Sequence, residues 1–122
     1  MGIERRASDI AGRGTFTTEP LPAGAPVAAE VDELNHSCDP SLVWEGHGLV
    51  AFRDLAAEEE LTVDYATSTT DPSMLLRCHC ETYRCRQLVT GEDWLIPEVQ
   101  RRYAGHFAPQ VQRRIDAQPR RP

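Results

Sequence analysis

Asn35-His36-Ser37-Cys38-Asp39-Pro40 is the stretch from which the rest of the chain can be read. Its residues are polar turn-formers, so no regular structure is expected over 35–40, yet a cysteine sits among them. The only other cysteines are Cys78, Cys80 and Cys85, spaced Cys-x-Cys-x4-Cys. Zinc prefers four tetrahedral ligands, and an all-cysteine set closes the site to substrate, so Cys38, Cys78, Cys80 and Cys85 point to one structural zinc ion. Cys78 and Cys80 can share an ion only if the backbone turns sharply between them. His79 could substitute for one ligand, although the four cysteines already complete a set. Disulfides or free thiols are the alternatives. A shared metal would tether the 35–40 loop to a segment some forty residues later.

Working outward, Leu42-Val43-Trp44 and Leu49-Val50-Ala51-Phe52 flank Gly46-His47-Gly48, which predicts a β-hairpin with His47 at its tip. Leu61-Thr62-Val63-Asp64-Tyr65 alternates in the manner of a strand. Before the loop, Gly12-Arg13-Gly14 predicts a turn, Thr15 to Thr18 a strand, and Ala25 to Val31 a weaker strand. Thr67 to Pro72 reads as a polar loop, and the segment around the three clustered cysteines is too short and polar to build its own core. Beyond it, Trp94, Leu95, Val99, Tyr103, Phe107, Val111 and Ile115 recur mostly at helical spacing, predicting one apolar stripe. Pro97 suits a helix start, and Gly105 with Pro109 predicts a break between two short helices.

A chain of 122 residues bounds this to one modest core. Hydrophobic residues at 40% and charged residues at 26% are ordinary for a folded protein. No apolar run approaches a membrane span, and residues 1–13 lack the apolar segment of a signal peptide. A cytoplasmic protein is the expectation, where clustered cysteines bind metal more often than they form disulfides. Residues 1–72 carry 4 Arg against 14 acidic residues, and residues 73–122 carry 9 Arg against 5. An acidic body suits a basic partner; a contact of the Arg101-Arg102 and Arg113-Arg114 pairs with nucleic acid is the weaker reading.

Four segments, in order, resemble the SET-domain family of protein lysine methyltransferases and its post-SET zinc element. They are Gly12-Arg13-Gly14-Thr15-Phe16 with Leu21-Pro22-Ala23-Gly24; Leu34 to Ser41; Ala51-Phe52-Arg53-Asp54-Leu55 leading to Glu60-Leu61-Thr62-Val63-Asp64-Tyr65; and the cysteine cluster. The pattern looks like a short bacterial-type member. The resemblance implies a mostly β, SET-like β-clip fold with knot-like threading and a C-terminal helical tail. It divides the chain into a shortened SET domain at 10–68, a post-SET zinc element at 69–91 and a helical extension at 92–118. It further implies S-adenosylmethionine as cofactor, held by Gly12, Arg13 and Gly14 through main-chain groups, by Asn35 and His36, and by Tyr83 over the adenine. Tyr65 would be the catalytic tyrosine, acting on a lysine of a basic protein.

The sequence departs from the family between Val27 and Asn35, where a long insertion is usual and only Ala28 to Leu34 intervenes. That insertion forms one wall of the peptide channel, so its shortening implies open strand edges and hence a possible homodimer. It also leaves a second reading, a non-catalytic zinc-binding interaction module. Ser41 replaces the signature's final asparagine, and Glu58 stands where a turn glycine is usual.

Overall fold

The computed structural model describes residues 2–119. Two sheets, a ribbon and a helical segment share its interior. Strands β1 (Ile3–Ala7) and β2 (Arg13–Thr17) form a hairpin, with Ile3 opposite Thr17 and Ala7 opposite Arg13. The N-terminal strand had no alternating apolar signal to betray it; its residues are Glu4, Arg5 and Arg6 between the apolar ends Ile3 and Ala7, and the pairing with β2 supplies the order. Its outer edge has no strand partner among the described residues and carries those charges, a common guard against edge-to-edge pairing. The connecting loop turns at Gly12, whose φ of +45° favours glycine.

The segment β3 (Pro26–Val27), the loop strand β4 (Asn35–His36), the hairpin β5 (Leu42–Glu45) and β6 (Gly48–Ala51), and β7 (Glu60–Val63) complete the two sheets. One sheet runs β1-β2-β7-β4 and the other β3-β6-β5. The hairpin is as expected, closed by Gly46-His47 between paired Glu45 and Gly48, with Gly46 at φ +62°. The predicted strand over 25–31 is shorter: Pro26 lacks a donor and sits on a sheet edge, and a 3-10 turn at Val31–Glu33 follows.

The 35–40 loop is not wholly irregular. Asn35 and His36 lie parallel to Thr62 and Val63, because the edge of β7 offers unpaired main-chain groups, and Ser37 N–H continues the ladder to Val63 O at 3.0 Å. Strand β7 is thereby central, so Leu61, Thr62, Val63 and Asp64 are all buried and the expected alternation of exposed and buried faces is absent. Ser41 fits its new position by clamping loop to strand: its hydroxyl donates to Glu60 O and accepts from Thr62 N–H. Glu58 keeps the left-handed backbone of the glycine it replaces, at φ +70°, while its carboxylate pairs with Arg6.

Leu21, Val27, Leu34, Leu42, Leu49, Leu61 and Val63 fill the core between the sheets. A second core lies under the C-terminal segment, where Trp94, Val99, Tyr103, Phe107 and Val111 pack on Val43 and Ala66. The expected stripe is thus real but broken. Trp94 sits in a 3-10 turn, Val99 on α1 (Pro97–Arg102), Tyr103 at that helix's end, and Val111 on α2 (Pro109–Asp116). Gly105, at φ +82°, makes the expected break, while Leu95 points outward at 39% exposure. No described helix is long and apolar enough to cross a membrane.

Around the clustered cysteines the chain forms a ribbon, β8 (Leu75–Arg77) with β9 (Leu88–Thr90), which the polar composition of the loop between them concealed. Its base closes at Gly91, whose N–H donates to Met74 O at 2.9 Å. A Cβ at Gly91 would overlap the Asp71 carbonyl. Gly91→Ala is therefore expected to destabilise the protein by about 1–3 kcal/mol. An unchanged urea midpoint would mean that the 71–74 turn yields freely.

Candidate active site and metal centre

The backbone wraps tightly between the ribbon strands, with Glu81 at φ +60° and Gln87 at φ +64°. Each left-handed non-glycine residue costs roughly 1–2 kcal/mol. These turns bring the sulfurs of Cys38, Cys78, Cys80 and Cys85 within 4.8 Å of one another. An ion bound tetrahedrally at zinc–sulfur distance holds its sulfurs about 3.8 Å apart; Cys38 Sγ and Cys78 Sγ are 3.9 Å apart. The donor set therefore fits one zinc ion, and all four sequence-predicted ligands converge. His79 is exposed and outside the group. Burial pushes the Cys38 thiol up to about 11 and raises Cys78 as well; at Cys80 the Thr82 hydrogen bonds outweigh burial and bring the thiol down to about 6. Backbone N–H groups of Cys80 and Arg86 point at Cys78 Sγ and Cys38 Sγ, at 3.4 and 3.3 Å. Such donors suit thiolates held by a cation.

Cys38 also meets His36, whose Nε2 lies 3.2 Å from Cys38 Sγ. The other ring nitrogen, Nδ1, accepts from Tyr65 N–H at 2.9 Å, which leaves the proton on Nε2 and aims it at the sulfur. Burial lowers the His36 pKa to about 4, so the ring is neutral although the Asp64 carboxylate is 3.7 Å from Nδ1. The Tyr65 ring meets the imidazole edge-on at 5.2 Å, and its hydroxyl donates to Leu34 O at 2.8 Å. Burial, then the nearby Asp32 charge, raises the Tyr65 pKa, so the phenol is neutral at physiological pH.

Tyr65, Asn35 and His36 line one cavity with Ile10, Ala11, Leu76, Arg77, Cys78 and His79, of about 80 Å³. The Asn35 amide donates to Ala11 O at 2.9 Å and to Glu60 Oε2 at 2.9 Å, which joins the Gly12 loop to this cavity. Gly14 matters here because a Cβ would strike that same Glu60 carboxylate. Arg13 and Gly14 stand behind the loop in β2 rather than on the cavity wall. Tyr83 is elsewhere: it is 84% exposed and lines a separate cavity with Ile96, Val99 and Arg84. A further cavity, of about 410 Å³, adjoins that of Tyr65 and shares Arg77, Cys78 and His79 with it.

One cluster was missed by sequence reasoning. Asp64, fully buried, accepts from Arg86 Nη1 (2.7 Å) and Nη2 (2.8 Å), from the Tyr103 hydroxyl (2.9 Å) and from Ala66 N–H (3.0 Å). Arg86 Nε also donates to Asp93 at 3.0 Å. Burial opposes ionisation of Asp64, but its bonds to Arg86 win and hold its carboxyl below the usual range. The signal available in the sequence was an Asp inside an apolar strand, which requires a buried partner, and an Arg directly after a ligand cysteine.

The framework is mostly β, with a loop strand parallel to β7, a buried His36, Tyr65 in the 3-10 turn just after β7 and a four-cysteine centre, and its fold is shared with solved structures. Two solved structures of KRYPTONITE align with it: one in complex with mCHG DNA and SAH (TM-score 0.57, 23% identity, 70% of this chain and 28% of that one), and one with mCHH DNA, H3(1-15) peptide and SAH (TM-score 0.56, 23% identity, 70% and 29%). By sequence it is 40% identical over 67 residues to the Drosophila melanogaster histone-lysine N-methyltransferase ash1, spanning 48% of this chain and 3% of that protein. It is 30% identical over 105 residues to the Caenorhabditis elegans probable histone-lysine N-methyltransferase set-23, spanning 70% of this chain and 43% of that protein. The chain therefore covers less than half the length of either relative. No family model matches it.

Proposed function

We propose that this chain transfers a methyl group to lysine side chains of a basic, histone-like protein, with S-adenosylmethionine as donor and one zinc ion as a structural element. The observation that carries the reading is that Tyr65, Asn35 and His36 line one cavity. The relatives' names and the SAH in the KRYPTONITE complexes support the reaction class. The chain contains no Lys, so the accepting side chain belongs to another molecule. The surplus of acidic residues over 1–72 favours a basic one.

S-adenosylmethionine supplies an electrophilic methyl on a sulfonium. Only a neutral lysine amine could accept that methyl, so its ammonium proton would first have to pass to solvent water. A low-dielectric channel lowers the lysine pKa and favours that loss. Tyr65 spends its hydroxyl proton on Leu34 O, which leaves the oxygen lone pairs to accept from the amine and orient it. Asn35 and His36 would contact the cofactor, and Ile10, Ala11 and Leu76 would exclude water from its apolar side.

The test is calorimetry of zinc-loaded protein with S-adenosylmethionine, followed by methyl transfer to a lysine-bearing H3 tail peptide. Tyr65→Phe should lower the transfer rate on the order of 10²-fold, with cofactor affinity and folding retained. Transfer undiminished in Tyr65→Phe would remove the tyrosine's role. Binding without transfer would favour the interaction module instead.

A further inference from the structure

The two peptide groups on either side of Tyr65 are each held by a buried side chain: Tyr65 N–H by His36 Nδ1, and Ala66 N–H by Asp64 Oδ1. Both holds lead back to one sulfur. His36 reaches Cys38 Sγ through Nε2, and Asp64 reaches it through Arg86, whose guanidinium grips the carboxylate while its own N–H points at Cys38 Sγ. The remaining lone pair of Asp64 Oδ2 is taken by the Tyr103 hydroxyl, delivered from the end of α1. The carboxylate is thus saturated, two donors to each oxygen, by three separate segments of chain.

We propose that Arg86 and Tyr103 are positioning residues for Tyr65, setting its main chain through Asp64 so that the metal centre and the C-terminal helices jointly place the hydroxyl. This rests on the reading of Tyr65 as the catalytic tyrosine. Apolar packing alone does not require such a network: Tyr103 is surrounded by Phe107 and Phe52, where a phenylalanine ring would pack equally well. The hydroxyl is there for Asp64.

Tyr103→Phe in the full, zinc-loaded chain tests this. The ring stays in place, and Asp64 keeps three of its four bonds, so the variant folds and retains one zinc. Two readouts follow. Amide exchange by NMR should quicken about tenfold or more at Ala66 relative to Leu61 in β7. The turnover rate on the H3 tail peptide should fall about ten- to a hundredfold, with the Kd for S-adenosylmethionine within twofold of the parent. Ile115→Ala, a packing change on α2 that does not touch Asp64, is the control; it should speed exchange at both amides equally or at neither. An Ala66 to Leu61 exchange ratio unchanged by Tyr103→Phe overturns the proposal, as does an unchanged turnover rate in a parent that transfers methyl. A parent that transfers no methyl sinks the proposed function, while the exchange ratio still decides the positioning.

Discussion

Arg86→Met should cost about 3–5 kcal/mol of unfolding free energy, because it strands a fully buried carboxylate without its cation. Proteins of this kind have roughly 5–15 kcal/mol to lose, so the variant should sit near its unfolding threshold. The size comes from what is left behind. Asp64 would retain only the neutral Tyr103 hydroxyl and the Ala66 amide, with Asp93 also freed from its partner. Adding Asp64→Asn should recover part of the loss, since no charge then remains unpaired at the hub. Urea denaturation of the single and double variants checks both statements. A loss below about 1 kcal/mol in the single variant would mean that water reaches Asp64 and the network is less enclosed than its burial indicates.

Cys38→Ser should release the zinc and with it the placement of the whole ribbon. Metal binding by small cysteine elements is folding free energy, because the ligands are not assembled beforehand. Here the left-handed turns at Glu81 and Gln87 accompany the convergence of the four sulfurs. Cys38 is the one ligand outside the cluster, and it joins ribbon to sheet. We expect bound zinc to fall from one per chain to less than a tenth of that at micromolar free metal, and at least ~3 kcal/mol to be lost. Cofactor binding should disappear, since Leu76, Arg77 and Cys78 form part of the cavity wall. Metal analysis after gel filtration, with calorimetry on the same samples, decides this. A serine variant that keeps one zinc and melts with its parent would show that three thiolates suffice.

Much of this was legible beforehand, for identifiable reasons. The metal ligands could be read because zinc chemistry depends on residue type and spacing, which survive folding unchanged. The β5–β6 hairpin could be read because Gly46 and the flanking apolar residues specify it locally. What could not be read was set by distant pairing. The charged strand β1 exists because β2 accepts it, and Asn35-His36 becomes a strand because β7 has an open edge. Burial of Asp64 hid in the same way: alternation predicts a polar face at that position, but Arg86 and Tyr103 close on it. Tyr83, read as a cover for the adenine, lines a different cavity from Asn35 and His36, together with residues of α1. Three-dimensional sidedness of a short loop is not encoded in its spacing.

The order in which the chain leaves the ribosome gives the Asp64 hub a biological meaning. Asp64 emerges first, then Arg86, then Tyr103, and the apolar residues that seal them end at Val111. Nascent chains shorter than this are expected to hold the Asp64 charge without its partners. A message truncated after the last cysteine would thus yield a polypeptide carrying every recognisable motif yet unable to mature, and quality-control proteases would meet it as an unfolded substrate. Synthesis through Val111, rather than possession of the motif set, is what lets the Asp64 network close.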